Sequence, residues 1–153
     1  MQGANNRSMG LRFLLPLLDI NATFISVQQE VPVGDAVVLT SRSDIFHFSD
    51  ELKNFSDTAA LISNLDLVIS IDTSVAHLAG ALVKRVWVML PLVAGWRRLL
   101  DRDDSPLYPT ARPFLQDGSR AWDSVIVRVH AALHESVWNY SLTYNGPIEA
   151  PKN

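Results

Sequence analysis

The sequence predicts an α/β fold, a Rossmann-like parallel sheet with helices on both faces. Three observations carry that reading. Residues 65–90 run as an apolar stretch (Leu67-Val68-Ile69-Ser70-Ile71), a polar triplet (Asp72-Thr73-Ser74), a helical pattern (Val75, Leu78, Ala79, Leu82) and a second apolar stretch stopped by Pro91, which is the pattern of a βαβ unit with a right-handed crossover. Both apolar stretches are short, β-branched and unbroken, as strands buried on two faces are. Strand-like and helix-like segments also alternate along the rest of the chain, the signature of a parallel sheet.

The elements follow in order. Residues 1–6 are polar and expected to fray. A helix is expected over residues 9–18, with Ser8 as its N-cap, and a strand over residues 23–27, ending in Gln28-Gln29-Glu30. In residues 31–43 the run Val37-Val38-Leu39 reads as a short strand, while Pro32 and Gly34 suggest an irregular insertion. Residues 44–48 read as another strand, and Asp57 as the cap of a helix over residues 58–64. After the βαβ unit, Lys84-Arg85 having turned the chain into its second strand, comes a loop with Trp96 and Arg97. A last strand is expected over residues 112–116, with Pro113 confining it to an edge. A helix over residues 122–136 carries Val125, Val129, Ala132 and Leu133 on one face. Residues 6–136 thus form one domain, and residues 137–153 a loose tail. The first identifiable element is a helix, whereas a doubly wound half-domain opens with its central strand, so the chain reads as starting one strand late.

Composition narrows the class. The 153 residues suffice for one core, and 48% hydrophobic against 19% charged residues describes a globular domain. A net charge of −3 without any basic block argues against a nucleic-acid partner. Zero cysteines exclude disulfides, thiolate zinc sites and cysteine nucleophiles. No apolar run reaches the length of a membrane span. Pro16 and Asp19 interrupt the apolar N-terminal segment, and no small-residue cleavage site follows it, so the expected location is cytoplasmic.

Ligands of open α/β sheets bind at the carboxyl ends of the strands. Thr73 and Ser74 lie there, at a helix start whose amides attract anions. They could hold a diphosphate or simply cap the helix. Asp72 would repel phosphate and is better suited to capping an N–H. His77 lies one turn into the same helix, where a structural role is the ordinary one. Gln28 and Glu30 follow another strand's carboxyl end, within reach of a ribose or a phosphate, or belong to a solvated loop. Phe55 could stack on a base or fill the core. Arg97 could neutralise phosphate charge. Asp101, Asp103 and Asp104 lack any defined ligand spacing, so no metal is expected.

Taken together these residues resemble a known family. The run D-L-V-I-S-I-D-T-S-V-A-H-L-A-G-A-L at residues 66–82, followed by V-W-V-M-L-P, resembles the nucleotide-sugar-binding half of GT-B glycosyltransferases. The closest likeness is to the heptosyltransferase-like family (glycosyltransferase family nine) and its tetratricopeptide-repeat-fused relatives. Arg7-Ser8, residues 24–28, Phe55-Ser56-Asp57-Thr58-Ala59, Trp96-Arg97, Asp101-Arg102 and Ser105-Pro106-x-Tyr108-Pro109 resemble further pieces of that domain in the same order. The family's usual first strand with its glycine-bearing loop has no counterpart, nor has its acceptor-binding half.

The resemblance implies the nucleotide-diphospho-sugar-binding part of an enzyme that transfers a hexose or heptose, with no cofactor. Asp72 would meet a sugar hydroxyl, and His77 would lie near the nucleotide-sugar. The general base would sit in a separate acceptor-binding domain, so this chain alone would be inactive. A catalytically inactive nucleotide-binding or interaction module is the alternative. A third reading is an aspartic-protease-like hydrolase, from Asp72-Thr73-Ser74. It needs two carboxylates on an all-β frame, and here an alanine-rich helix follows instead. No G-x-S-x-G, Walker A or G-x-G-x-x-G pattern is present.

Overall fold

The computed structural model describes residues 9–71, 73–92 and 109–144. Its strands are β1 (Phe24–Ser26), β2 (Ile45–His47), β3 (Val68–Ile71), β4 (Val86–Leu90) and β5 (Ala111–Leu115). Its α-helices are α1 (Val33–Ser41), α2 (Phe55–Ser63), α3 (Ser74–Ala81) and α4 (Trp122–Tyr144), preceded by a 3-10 helix over Leu11–Asp19. All strand pairs are parallel, β1 with β2 and β3-β4-β5 in that order. The chain is therefore α/β with parallel sheets flanked by helices, as the alternating pattern predicts. Among the described residues the strands form two sheets rather than one.

β4 shows why the fold holds. It is paired on both edges, and its residues alternate between two helix layers. Trp87 and Met89 enter a cluster with Leu17, Ile20, Phe114 and the α4 residues Trp122, Val125, Ile126, Val129 and Leu133. Val86 enters the other, with Ile62 of α2, Val68 of β3, and Ala76 and Ala79 of α3. Small residues at 76 and 79 let α3 lie close to the sheet. β3 obeys the same parity, Val68 facing α2 and α3 while Ile69 and Ile71 face the α4 layer. Full burial of an aliphatic side chain such as Val125 or Val129 contributes roughly 1.5–3 kcal/mol, so these two layers dominate stability.

Several elements differ from the sequence reading. Residues 33–41 are a helix, not a strand or an irregular insertion. Pro32 immediately precedes the first turn, where a missing N–H costs nothing. Asp35 and Leu39, one turn apart, are the helix's buried residues. The Asp35 carboxylate accepts from the Leu11 backbone N–H at 2.9 Å, so it caps the 3-10 helix across 24 positions of sequence. That first helix is 3-10 rather than α, and Pro16 inside it supplies no amide for the tighter or the wider ladder. Its N-cap is Gly10; Ser8 lies outside the described residues.

The cap of α2 is Asn54, not Asp57. The Asn54 side chain accepts from the Asp57 N–H at 3.0 Å, and the Asp57 carboxylate reaches back to the Lys53 N–H at 3.0 Å. α4 continues to Tyr144, so the segment expected to be a loose tail from residue 137 begins as helix, and Val137 packs on the α4 cluster.

β5 is an edge strand, as Pro113 requires. The Arg112 guanidinium lies 5.6 Å from the Trp87 ring centre and 4.8 Å from that of Phe114, covering the aromatic pair. Beyond β5, Gln116 is 2% exposed. Its side chain accepts from the Leu92 N–H and donates to the Arg120 carbonyl, each at 3.0 Å. The Asp117 carboxyl is held below its usual range by the Ser119 hydroxyl, then by the Ser119 amide and by Ser124, which fixes the turn into α4.

α3 ends in a Schellman motif. The Lys84 N–H bonds the Ala79 carbonyl and the Val83 N–H the Gly80 carbonyl, both at 3.0 Å. Val83 sits at φ 57°, a left-handed position that disfavours a β-branched residue. It is also 74% exposed, so little burial offsets the strain. Val83→Gly is expected to stabilise the chain by about 1 kcal/mol. Urea unfolding checks this through a raised midpoint at unchanged slope.

Candidate functional site

Parallel strands joined by helices bring every strand's carboxyl end and every following helix's N-terminus to one end of the sheet. That end gathers the Gln28-Gln29-Glu30 segment after β1, the start of α2 with Phe55, and the start of α3 with Thr73 and Ser74. α2 and α3 lie on the same side, their residues Ile62, Ala76 and Ala79 sharing one cluster. A direct bond ties β1's end to α2. Gln29 Nε2 donates to Thr58 Oγ1 at 3.3 Å, and Thr58 is 3% exposed.

The structure separates the two readings offered for several residues. Phe55 does not fill the core; it is the first residue of α2 and is 65% exposed. Thr73 is the N-cap of α3 by position, with extended backbone, but its side chain caps nothing. Its hydroxyl instead lies 3.1 Å from that of Ser70, which donates to the Ile71 carbonyl at 2.8 Å. The Thr73 carbonyl accepts from the His77 N–H at 3.2 Å. Ser74 and His77 are exposed, as are Gln28 and Glu30. Asp72 and Arg97 lie outside the described residues, as do Arg7 and Trp96.

Gln29 and Thr58 escaped the sequence reading, which named Gln28 and Glu30 instead. Parity along β1 carries the signal. Phe24 packs with the α4 layer and Val27 with the α2–α3 layer, so Gln29, in step with Val27, is the residue turned toward α2. Gln116 escaped as well, since its bond to Leu92 is tertiary and leaves no periodic trace. Among the described residues no three His, Asp or Glu side chains group as a metal site, and no helix is long and apolar enough to cross a membrane.

The chain is thus a Rossmann-like α/β domain with a hydroxyl- and amide-bearing surface at the carboxyl ends of its strands. No protein-family model matches it, and no solved structure does. Protein FlbA of Caulobacter vibrioides is similar, at 33% identity over 82 residues. The matched stretch is 54% of this chain and 13% of FlbA, so the chain spans a small part of the length of that relative.

Since Thr73 holds the helix start through its backbone, Thr73→Val is expected to cost no more than about 1 kcal/mol, the worth of one half-buried hydroxyl pairing. In a double-mutant cycle with Ser70→Ala, followed by chemical denaturation, most of that loss should vanish.

Proposed function

We propose that this chain is the nucleotide-diphospho-sugar-binding part of a glycosyltransferase. The observation that supports this best is the convergence, at the carboxyl ends of parallel strands, of the α3 N-terminus, the Thr73 hydroxyl, which pairs with Ser70 rather than with a helix amide, and an exposed Phe55. A diphosphate suits the helix start, where the oriented amides and the Thr73 and Ser74 hydroxyls favour negative charge. Glu30 would repel that diphosphate and suits ribose hydroxyls, the role acidic residues take at the end of the neighbouring strand in dinucleotide-binding sheets. Phe55 offers a face for the base. Departure of the nucleoside diphosphate from the sugar would be eased by electrostatic stabilisation at the helix start, not by an acid of this domain. The base that takes the acceptor's proton would come from a separate acceptor-binding domain, within hydrogen-bond reach of the attacking hydroxyl. The resemblance of residues 66–82 to the heptosyltransferase-like family points to a hexose or heptose as the group transferred.

Titration of the chain with ADP, UDP and GDP, followed by amide chemical shifts, tests the reading. At least one should shift the amides of Thr73, Ser74, Val75 and Ala76 at millimolar concentration, and Thr73→Val should weaken that binding about fivefold, the loss of one hydrogen bond of roughly 1 kcal/mol. Incubated with nucleotide-sugars and mixed acceptors, the chain alone should transfer nothing. Silence of those amides toward all three nucleotides would remove the assignment, and transfer by the chain alone would overturn the division of labour.

A further inference from the structure

Past the carboxyl end of β1, one surface side chain is held in a fixed orientation. Thr58, one turn into α2, is 3% exposed, and its hydroxyl donates to the Asn54 carbonyl at 3.4 Å. A carbonyl oxygen can only accept, so the single hydroxyl proton is committed there. The Thr58 oxygen is left to accept from Gln29, and the Gln29 group that reaches it, at 3.3 Å, is an Nε2 N–H. This chain of bonds from Gln29 to Thr58 to Asn54 settles which way round the Gln29 amide lies, a choice that a free glutamine leaves open. The turn that anchors it is itself held. Asn54 Oδ1 accepts from the Asp57 N–H and the Asp57 carboxylate from the Lys53 N–H, each at 3.0 Å. Gln29 is exposed, yet its side chain is moored across 29 positions of sequence.

Mooring a long surface side chain costs rotamer entropy, and it leaves a defined polar group behind. The second Nε2 proton and Oε1 have no partner among the described residues. They make a donor and an acceptor side by side, the pattern with which a glutamine amide reads the edge of a base. Phe55 stands one turn before Thr58 on α2, so the two share a side of the helix, and Phe55 is 65% exposed. The same turn therefore carries an open aromatic face and anchors an oriented amide. A flat heterocycle with a polar edge satisfies both at once, by stacking and by hydrogen bonding, whereas a phosphate offers neither a face nor a hydrogen to donate. Resting on the nucleotide-diphospho-sugar reading of this end of the sheet, we infer that Gln29 reads the polar edge of the nucleobase, and that Thr58 is a positioning residue acting through it. The neighbouring Glu30 keeps its place toward the ribose. Inorganic pyrophosphate, which has no base, depends on neither Gln29 nor Thr58.

Titration of the full chain with inorganic pyrophosphate beside ADP, UDP and GDP, followed by amide chemical shifts, tests this. For the nucleoside diphosphate that binds best, Gln29→Leu should raise the Kd about fivefold, the loss of one hydrogen bond, and leave the Kd for pyrophosphate unchanged. Thr58→Val keeps the buried shape and removes the mooring. It should raise the nucleotide Kd by a similar factor, and the two substitutions together should do no more than either alone. Thr58→Ser, which keeps the hydroxyl, should bind as the original chain does. If Thr58→Val does not fold, Gln29→Leu on the surface decides the matter through the split between nucleotide and pyrophosphate. Three results overturn the inference: an unchanged nucleotide Kd in Gln29→Leu, an equal rise in the Kd for pyrophosphate, or additive effects of the two substitutions. If pyrophosphate shifts the Thr73 and Ser74 amides while Gln29→Leu leaves the nucleotides unaffected, the inference falls and the reading beneath it stands. Silence of those amides toward all four compounds overturns both.

Discussion

Parallel pairing of β4 on both of its edges is the constraint on which the rest depends. A parallel neighbour cannot be reached by a tight turn, so each return of the chain crosses a face as a helix. With helices on both faces the strand loses contact with water on either side, and only unbroken apolar runs suit it. Trp87 and Met89 on one side and Val86 on the other meet that demand. The same geometry delivers the starts of α2 and α3 to one end of the sheet. The placement of Phe55, Thr73 and Ser74 is thus a by-product of how β4 is buried, and any chemistry they perform rests on that burial.

The parts of the fold legible in the sequence are those where local pattern and tertiary environment agree. Strand β4 ends where Pro91 ends it, and α3 is marked by small residues at the positions that meet the sheet. α4's buried face, Val125, Val129, Ala132 and Leu133, is written at helical spacing. Where the two disagree the sequence misled. Val37, Val38 and Leu39 look like a strand, but Pro32 and the buried pair Asp35 and Leu39 make a helix, and Val37 is left in solvent. Apolar residues near Pro16 look like an α-helix, and the chain there is a 3-10 helix instead.

The candidate surface was legible in its location and less so in its partners. Strand ends and helix starts are readable from pattern, so Gln28, Glu30, Thr73 and Ser74 lie at the strand ends where the pattern puts them, whereas Phe55, at the start of α2, lies three residues ahead of the helix start the pattern suggests. Side-chain bonds between distant elements are not. Gln29 with Thr58 and Gln116 with Leu92 depend on which of two alternating faces a residue takes and on how far a loop returns. Only coordinates supply either.

The 3-10 helix has a consequence for synthesis on the ribosome. Its first amide is satisfied by Asp35, 24 positions later, and near its other end Asp19 pairs with His130 at 2.8 Å, 111 positions later. Leu17 and Ile20 are buried against residues of β4, β5 and α4. The earliest described helix to leave the exit tunnel is therefore among the last to be secured. Until β4, β5 and α4 have all emerged its apolar side is incompletely covered, and nascent-chain chaperones would find it exposed through most of elongation.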